Sequence, residues 1–191
     1  MLASGRDASI LIVAATEAEL CGREGLVCGV GPVEAAAATA RALADWGPAA
    51  VLHVGIAGAH PASGLNPPQL VVGAVAVYED LSQTTGLSPV EAEPDAELAA
   101  LVRRVLPEAV VLPIGTTGRV GGSDLCPVEA MEGFAVLRAA ALADVPAVEV
   151  RAISNLVDDA REDWRIEEAL AALDGALASV LASLGGATAA P

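Results

Sequence analysis

The chain contains no lysine: all ten basic residues are arginines, against 25 acidic residues in 191. That absence excludes Schiff-base chemistry and the phosphate-binding loop whose lysine reaches the nucleotide. With a formal net charge of −15 there is no basic footprint for a phosphate backbone, so nucleic acid is not an expected partner. Any bound anion needs a local arginine. Aromatics are scarce at 2%, so the core must be built from Val, Leu, Ile and Ala. At 54% hydrophobic and 18% charged residues the chain reads as globular, with material for one sizeable core. The three cysteines, Cys21, Cys28 and Cys126, are odd in number and form no CxxC. They read as small apolar packing groups in a reducing compartment. The two histidines, His53 and His60, lack a third ligand at zinc spacing, so no metal site is expected. The first apolar run, Ile10 to Ala15, is too short for a signal sequence or a membrane span. A cytoplasmic location without membrane contact is the expectation.

What the chain does have is alternation. Apolar runs at Ile10–Ala15, Leu26–Gly31, Ala49–Gly58, Leu70–Tyr78, Ala109–Ile114 and Ala147–Ser154 read as strands buried on both faces. Between them, Pro32–Trp46 reads as a helix opened by proline and stopped by Gly47-Pro48. Further helices are expected over Pro94–Leu106, from Glu132 to about Asp144, and from about Asp163 to Leu184. Asp80–Glu93 and the glycine-rich Gly115–Asp124 read as loops. The pattern predicts an α/β fold: a single three-layer αβα domain over residues 1–184 with a central, mostly parallel (mixed) sheet, and a fraying tail at 185–191.

Open sheets of this kind collect ligands at the carboxyl ends of their strands. Glu17 and Glu19 follow the first strand there, though acids in a loop or a helix first turn account for them equally well. Gly29-Val30-Gly31 starts a dinucleotide fingerprint that fails at Glu34, so a tight turn explains these glycines. The segment VEAMEGF places Met131 beside Glu132, and VRAISNLVDDAREDW carries Ser154 and Asn155. A carboxylate can accept from two vicinal hydroxyls, and a primary amide offers a heterocycle both a donor and an acceptor. The plainer alternative is that Glu132 opens a helix and Asn155 closes a turn.

Taken in order, these segments resemble the purine nucleoside phosphorylase/nucleosidase superfamily across nearly the whole chain. Its nucleosidases carry an acidic cluster after the first strand, matched by Glu19. Their strand–glycine turn is similar to VGIAG (Val54–Gly58), with Ile56 where they have serine. Their Met-Glu ribose clamp is similar to Met131-Glu132, and their Arg-Ala-Ile-Ser-Asp motif to RAISN, with Asn155 in place of the aspartate. ISNLVDDAREDW further resembles the ISN-x-V-x-x-x-R-x-x-W stretch of futalosine hydrolases, which split futalosine into hypoxanthine and dehypoxanthine futalosine in menaquinone synthesis.

The resemblance implies a nucleosidase that needs no cofactor. It implies Glu19 as the group that positions and deprotonates water, and Asn155 on N7/O6 of a 6-oxopurine. Glu132 and Met131 would hold the ribose, with Thr16, Ala57, Gly58 and Ser154 lining the substrate. It also implies a homo-oligomer, dimer or larger. The benzoate of futalosine needs an arginine, with Arg119, Arg161 and Arg165 as candidates, and Tyr78, Phe134 and Trp164 are the candidates to stack on the base. The rival readings are a methylthioadenosine/S-adenosylhomocysteine nucleosidase, a purine nucleoside phosphorylase, and a nucleoside-binding protein without activity.

Overall fold

The computed structural model describes residues 9–81, 86 and 88–185, so the proposed tail beyond Gly185 lies outside the described residues. Eight strands among these residues form one mixed sheet. They are β1 (Ile10–Ala14), β2 (Leu26–Val27), β3 (Ala50–Ala59), β4 (Leu70–Tyr78), β5 (Glu91–Ala92), β6 (Val110–Thr116), β7 (Val128–Ala130) and β8 (Ala147–Leu156). Among the described residues four α-helices accompany them: α1 (Pro32–Trp46), α2 (Ala96–Val105), α3 (Gly133–Leu142) and α4 (Ile166–Leu184).

Local chemistry sets the helix ends. Pro32 sits in the first turn of α1, where a missing N–H costs nothing, and Gly47 ends the helix in the left-handed region at φ 56°. Asp95 caps α2 by accepting from the Leu98 amide at 2.8 Å, and Arg103 and Arg104 face the negative end of that helix. Gly185 closes α4 at φ 92°.

The sheet has two covered faces. One apolar cluster joins Ile12, Leu52, Val72 and Val150 to Leu98 and Val102 of α2 and to Leu173, Leu177 and Val180 of α4. A second joins Leu11, Val13 and Val51 to Ala35, Ala42 and Leu43 of α1 and to Val136, Leu137 and Ala140 of α3. This is the three-layer αβα arrangement expected from the alternation of elements.

The topology departs from expectation in β7. Three residues long, it lies antiparallel to β3 and parallel to β6. With β3–β8, β8–β4 and β4–β6 pairings it closes a ring of five strands. A third apolar cluster takes residues from every strand of that ring, among them Ala57, Ile153, Val71, Ile114 and Val128. The Leu26–Gly31 run also shortens, to the two residues of β2. Gly29 (φ 82°) and Gly31 (φ 94°) turn the chain out of the sheet and into α1. The expected loop over Asp80–Glu93 contributes β5, which pairs antiparallel with β4. The expected start of the last helix is instead a short 3-10 turn, Arg161–Asp163, before α4 begins at Ile166.

Candidate active site

The carboxyl ends of β1, β3, β7 and β8 open into one cavity of about 710 Å³. All eight of the site residues expected from sequence line it: Thr16 and Glu19 after β1, Ala57 and Gly58 on β3, Met131 and Glu132 after β7, and Ser154 and Asn155 on β8. Glu17 does not; it is exposed. Of the three candidate arginines Arg161 lines the cavity, whereas Arg165 pairs with Glu168 at the surface and Arg119 is not among the lining residues. Of the aromatics, Trp164 lines it. Phe134 instead stacks on Tyr78 at 5.3 Å between centroids, away from the lining.

Glu19 sits on the 3-10 turn Glu17–Leu20 and is 6% exposed. Its Oε2 accepts from the Thr16 amide at 3.0 Å and the Thr16 hydroxyl at 2.8 Å, and its Oε1 accepts from the Ile56 amide at 2.9 Å. The Ile56 side chain supplies no polar contact, but its main chain does. Two strand ends thus hold the carboxylate at the cavity wall.

Glu132 stands at the N-terminal boundary of α3, and its main chain opens that helix as the plainer reading expects. Its side chain does not cap the helix. Oε1 accepts from the Gly31 amide at 3.0 Å, and Oε2 lies 3.4 Å from Arg151 Nη2. The glycine turn before α1 therefore holds a site carboxylate.

A register shift between β3 and β8 falls between Ala57 and Gly58, which pair with Ile153 and Asn155. The extra residue, Ser154, re-aims the strand end, as bulges beside binding sites do. Asn155 Nδ2 donates to the Leu156 carbonyl at 2.8 Å, and Oδ1 accepts from the Ser154 hydroxyl at 2.8 Å. A flipped amide would bring two oxygens together at Leu156, so this orientation is set by hydrogen bonding. A primary amide has two N–H donors, and Leu156 takes one. Gly58 leaves space beside the amide: a Cβ there would come within 3.3 Å of Nδ2.

Beneath these residues lies a buried ionic cluster that sequence reasoning left without roles. Arg151 is 1% exposed. Its Nε donates to Glu149 Oε1 at 2.8 Å, Nη1 to the Ile56 carbonyl at 3.4 Å, and Nη2 to His53 Nε2 at 2.5 Å and to Glu132. Burial disfavours its charge, but Glu149, Glu132 and Glu19 more than reverse this and raise its pKa above the usual arginine value. Gly55 makes the approach possible, since a Cβ there would strike both Arg151 Nη1 and Glu19 Oε1. His53 Nδ1 is 2.9 Å from the Val13 carbonyl. A carbonyl only accepts, so Nδ1 carries the proton and Nε2 is the acceptor. Burial, then the Arg151 charge, holds His53 well below its ordinary pKa, so it is neutral. The available signal was Glu149 and Arg151 themselves: two opposite charges, two residues apart, on one face of a strand otherwise read as fully buried.

Five amides of the glycine-rich loop after β6 are filled by the protein's own carboxylates. Asp80 accepts from Gly118 at 2.5 Å; Glu129 accepts from Gly121 at 2.6 Å and Ser123 at 2.7 Å. Glu79 accepts from Asp124 at 2.8 Å, from Leu125 at 3.0 Å and from the Ser123 hydroxyl at 2.6 Å. Glu129 also lines the cavity. Arg161, also a lining residue, lies 4.0 Å over the Trp164 ring and has no ion pair among the described residues.

Comparison with known proteins places the chain in a family and a fold. The family model described as the phosphorylase superfamily matches residues 25–184. A futalosine hydrolase of Streptomyces coelicolor is 58% identical over 59 residues, a stretch amounting to 29% of this chain and 25% of that protein. A 5′-methylthioadenosine/S-adenosylhomocysteine nucleosidase of Colwellia psychrerythraea, solved with adenine, superposes with a TM-score of 0.81 at 20% identity, covering 94% of this chain and 97% of its own. The native futalosine hydrolase of Helicobacter pylori gives a TM-score of 0.81 at 18% identity, covering 91% and 97%. At these identities the two structural likenesses concern the fold.

Proposed function

The chain belongs to the phosphorylase superfamily, and we propose that within it the protein hydrolyses the N-glycosidic bond of a 6-oxopurine nucleoside. Futalosine is the substrate that fits best, with hypoxanthine and dehypoxanthine futalosine as products. The observation that carries the reading is the convergence of Glu19, Glu132 and Asn155 on one cavity, with the Asn155 amide oriented by its neighbours. Its second N–H meets an acceptor, as O6 of hypoxanthine provides, whereas the 6-amino group of adenine presents a donor. The short stretch of 58% identity to a futalosine hydrolase supports the same substrate.

Glu132 accepts from the ribose 2′- and 3′-hydroxyls, and Met131 packs on the sugar. As the C1′–N9 bond breaks, its electron pair leaves with the purine, whose charge spreads over N7 and O6 and meets the Asn155 amide. Water held by Glu19 attacks C1′ and gives up its proton to that carboxylate. Thr16 keeps Glu19 in place through two hydrogen bonds. Asn155 cannot donate a proton, so the purine departs as the anion and is protonated afterwards.

Water is favoured over phosphate as nucleophile because five amides of the loop already hold Glu79, Asp80 and Glu129. Glu129 also adds negative charge to the cavity wall. Arg161 is the cavity's arginine without an ion pair among the described residues, and it is our choice for the benzoate of futalosine.

The test is chromatographic detection of free base after incubation with futalosine, inosine or methylthioadenosine, with and without phosphate. Phosphate-independent hypoxanthine from futalosine is the expected result. Adenine from methylthioadenosine overturns the substrate, phosphate dependence overturns hydrolysis, and no base from any substrate favours a binding protein without activity.

A further inference from the structure

Three carboxylates, Glu19, Glu132 and Glu149, surround one guanidinium, and only the first two line the cavity. Glu149 and His53 are both fully buried and do not line the cavity, yet each hydrogen-bonds Arg151. We propose that His53 and Glu149 are positioning residues for hydrolysis: together they fix the plane of Arg151, and Arg151 in turn holds Glu132 and faces Glu19. The inference rests on the reading of Glu19 as base and Glu132 as sugar clamp.

The geometry is specific. His53 is locked by the Val13 carbonyl into the tautomer whose Nε2 can only accept, so it suits an arginine donor and no other role. Glu149 takes Nε through Oε1, while its Oε2 has no hydrogen-bond partner among the described residues. Space for that carboxylate is made by the first residue of α3: a Cβ on Gly133 would strike Glu149, and one on Gly73 of β4 would lie 3.4 Å from it. With Nε and Nη2 tied from behind, Nη1 is presented at Ile56 and Gly55, beside Glu19. A buried network that engages all three guanidinium nitrogens leaves the group one place to be.

The charged and titratable groups around Glu149 are Arg151 on the same strand, His53 on β3 and Glu132 before α3. Cys28, on the β2–α1 loop near Glu132, has its thiol pushed up to about 12 by burial and then by Glu132, and is neutral. Burial also raises Glu149 above the ordinary glutamate value against the opposing pull of Arg151. Glutamine at 149 therefore resembles the protonated state that glutamate enters as pH falls.

The experiment measures kcat, KM and their pH dependence for the intact protein and for His53→Leu, His53→Gln and Glu149→Gln, with thermal melting as a control on folding. His53→Leu removes the acceptor and is expected to lower kcat roughly ten- to hundredfold, the scale of a small misplacement in a site. KM should rise less than kcat falls, because the contacts to the base at Ala57 and Asn155 are untouched and Glu132 keeps its hydrogen bond from Gly31. His53→Gln returns an acceptor and should recover most of the loss. Glu149→Gln should lower kcat at neutral pH and remove part of its fall toward acid. A folded His53→Leu variant with unchanged kcat, no recovery by glutamine, or a Glu149→Gln profile superposing on that of the unmodified protein each overturns the inference alone. Absence of base release by the unmodified protein overturns the nucleosidase reading and this inference with it.

Discussion

The floor and the mouth of the cavity each carry an arginine, under opposite conditions. Arg151 on the floor is 1% exposed, and its guanidinium nitrogens meet Glu149, His53, Glu132 and the Ile56 carbonyl. Arg161 at the mouth is exposed, stacks on Trp164 and has no ion pair among the described residues. Burying a guanidinium costs several kcal/mol unless partners repay it, so a floor arginine must be fully engaged within the protein. A mouth arginine keeps its hydration and can exchange it for a ligand. The floor is thus suited to hold chemistry in place, and the mouth to choose among substrates.

Removing the floor arginine should have the largest effect. Arg151→Met leaves three carboxylates facing one another without a cation and is expected to destabilise the fold by about 3–5 kcal/mol, besides abolishing turnover. Denaturant unfolding measures this, and an unchanged midpoint would erase the distinction between floor and mouth. Glu19→Gln comes next. It keeps the size and one acceptor but loses the base, so kcat should fall about 10²–10⁴-fold, with a loss of stability of about 1–3 kcal/mol because the new NH2 faces a backbone N–H of Thr16 or Ile56. Undiminished turnover would show that the base lies elsewhere.

Arg161→Ala should leave stability alone and raise KM roughly tenfold for futalosine, the scale of one charge-assisted hydrogen bond. Inosine, which lacks the carboxylate, should be unaffected, and equal effects on both substrates would remove the mouth arginine from recognition. The smallest effect concerns the clamped loop. Burial pushes the Glu79 carboxyl up, but hydrogen bonds from Ser123, Asp124, Leu125 and Cys126 outweigh it and lower its pKa below the ordinary glutamate value. The sign follows: its stabilisation is present above the unfolded value and is lost as pH falls through the lower folded one. Melting curves against pH should show a modest acid loss that Glu79→Gln flattens.

Short-range patterns made much of this molecule legible. Proline at the first turn and glycine past the end mark α1 at Pro32–Trp46, and the apolar run Leu70–Tyr78 is β4 in full. The same reasoning overextended β2, because Leu26–Gly31 is apolar enough for a strand while the positive φ of Gly29 and Gly31 is a conformational fact. It passed over β7, whose three residues are too few to show a period of two and whose partners are remote in sequence.

Local composition and spacing were enough for the αβα class and for the strand ends as the place for a site, since each follows from a signal carried within a few residues, whereas the eight residues that gather there were named by resemblance to the superfamily. Which arginine lies beneath the site and which guards its mouth was decided only by the folded chain. So was the capture of loop amides by Glu79, Asp80 and Glu129, and the orientation of the Asn155 amide. These depend on which groups meet across strands and on which of them lose their water, and both are properties of the packed structure.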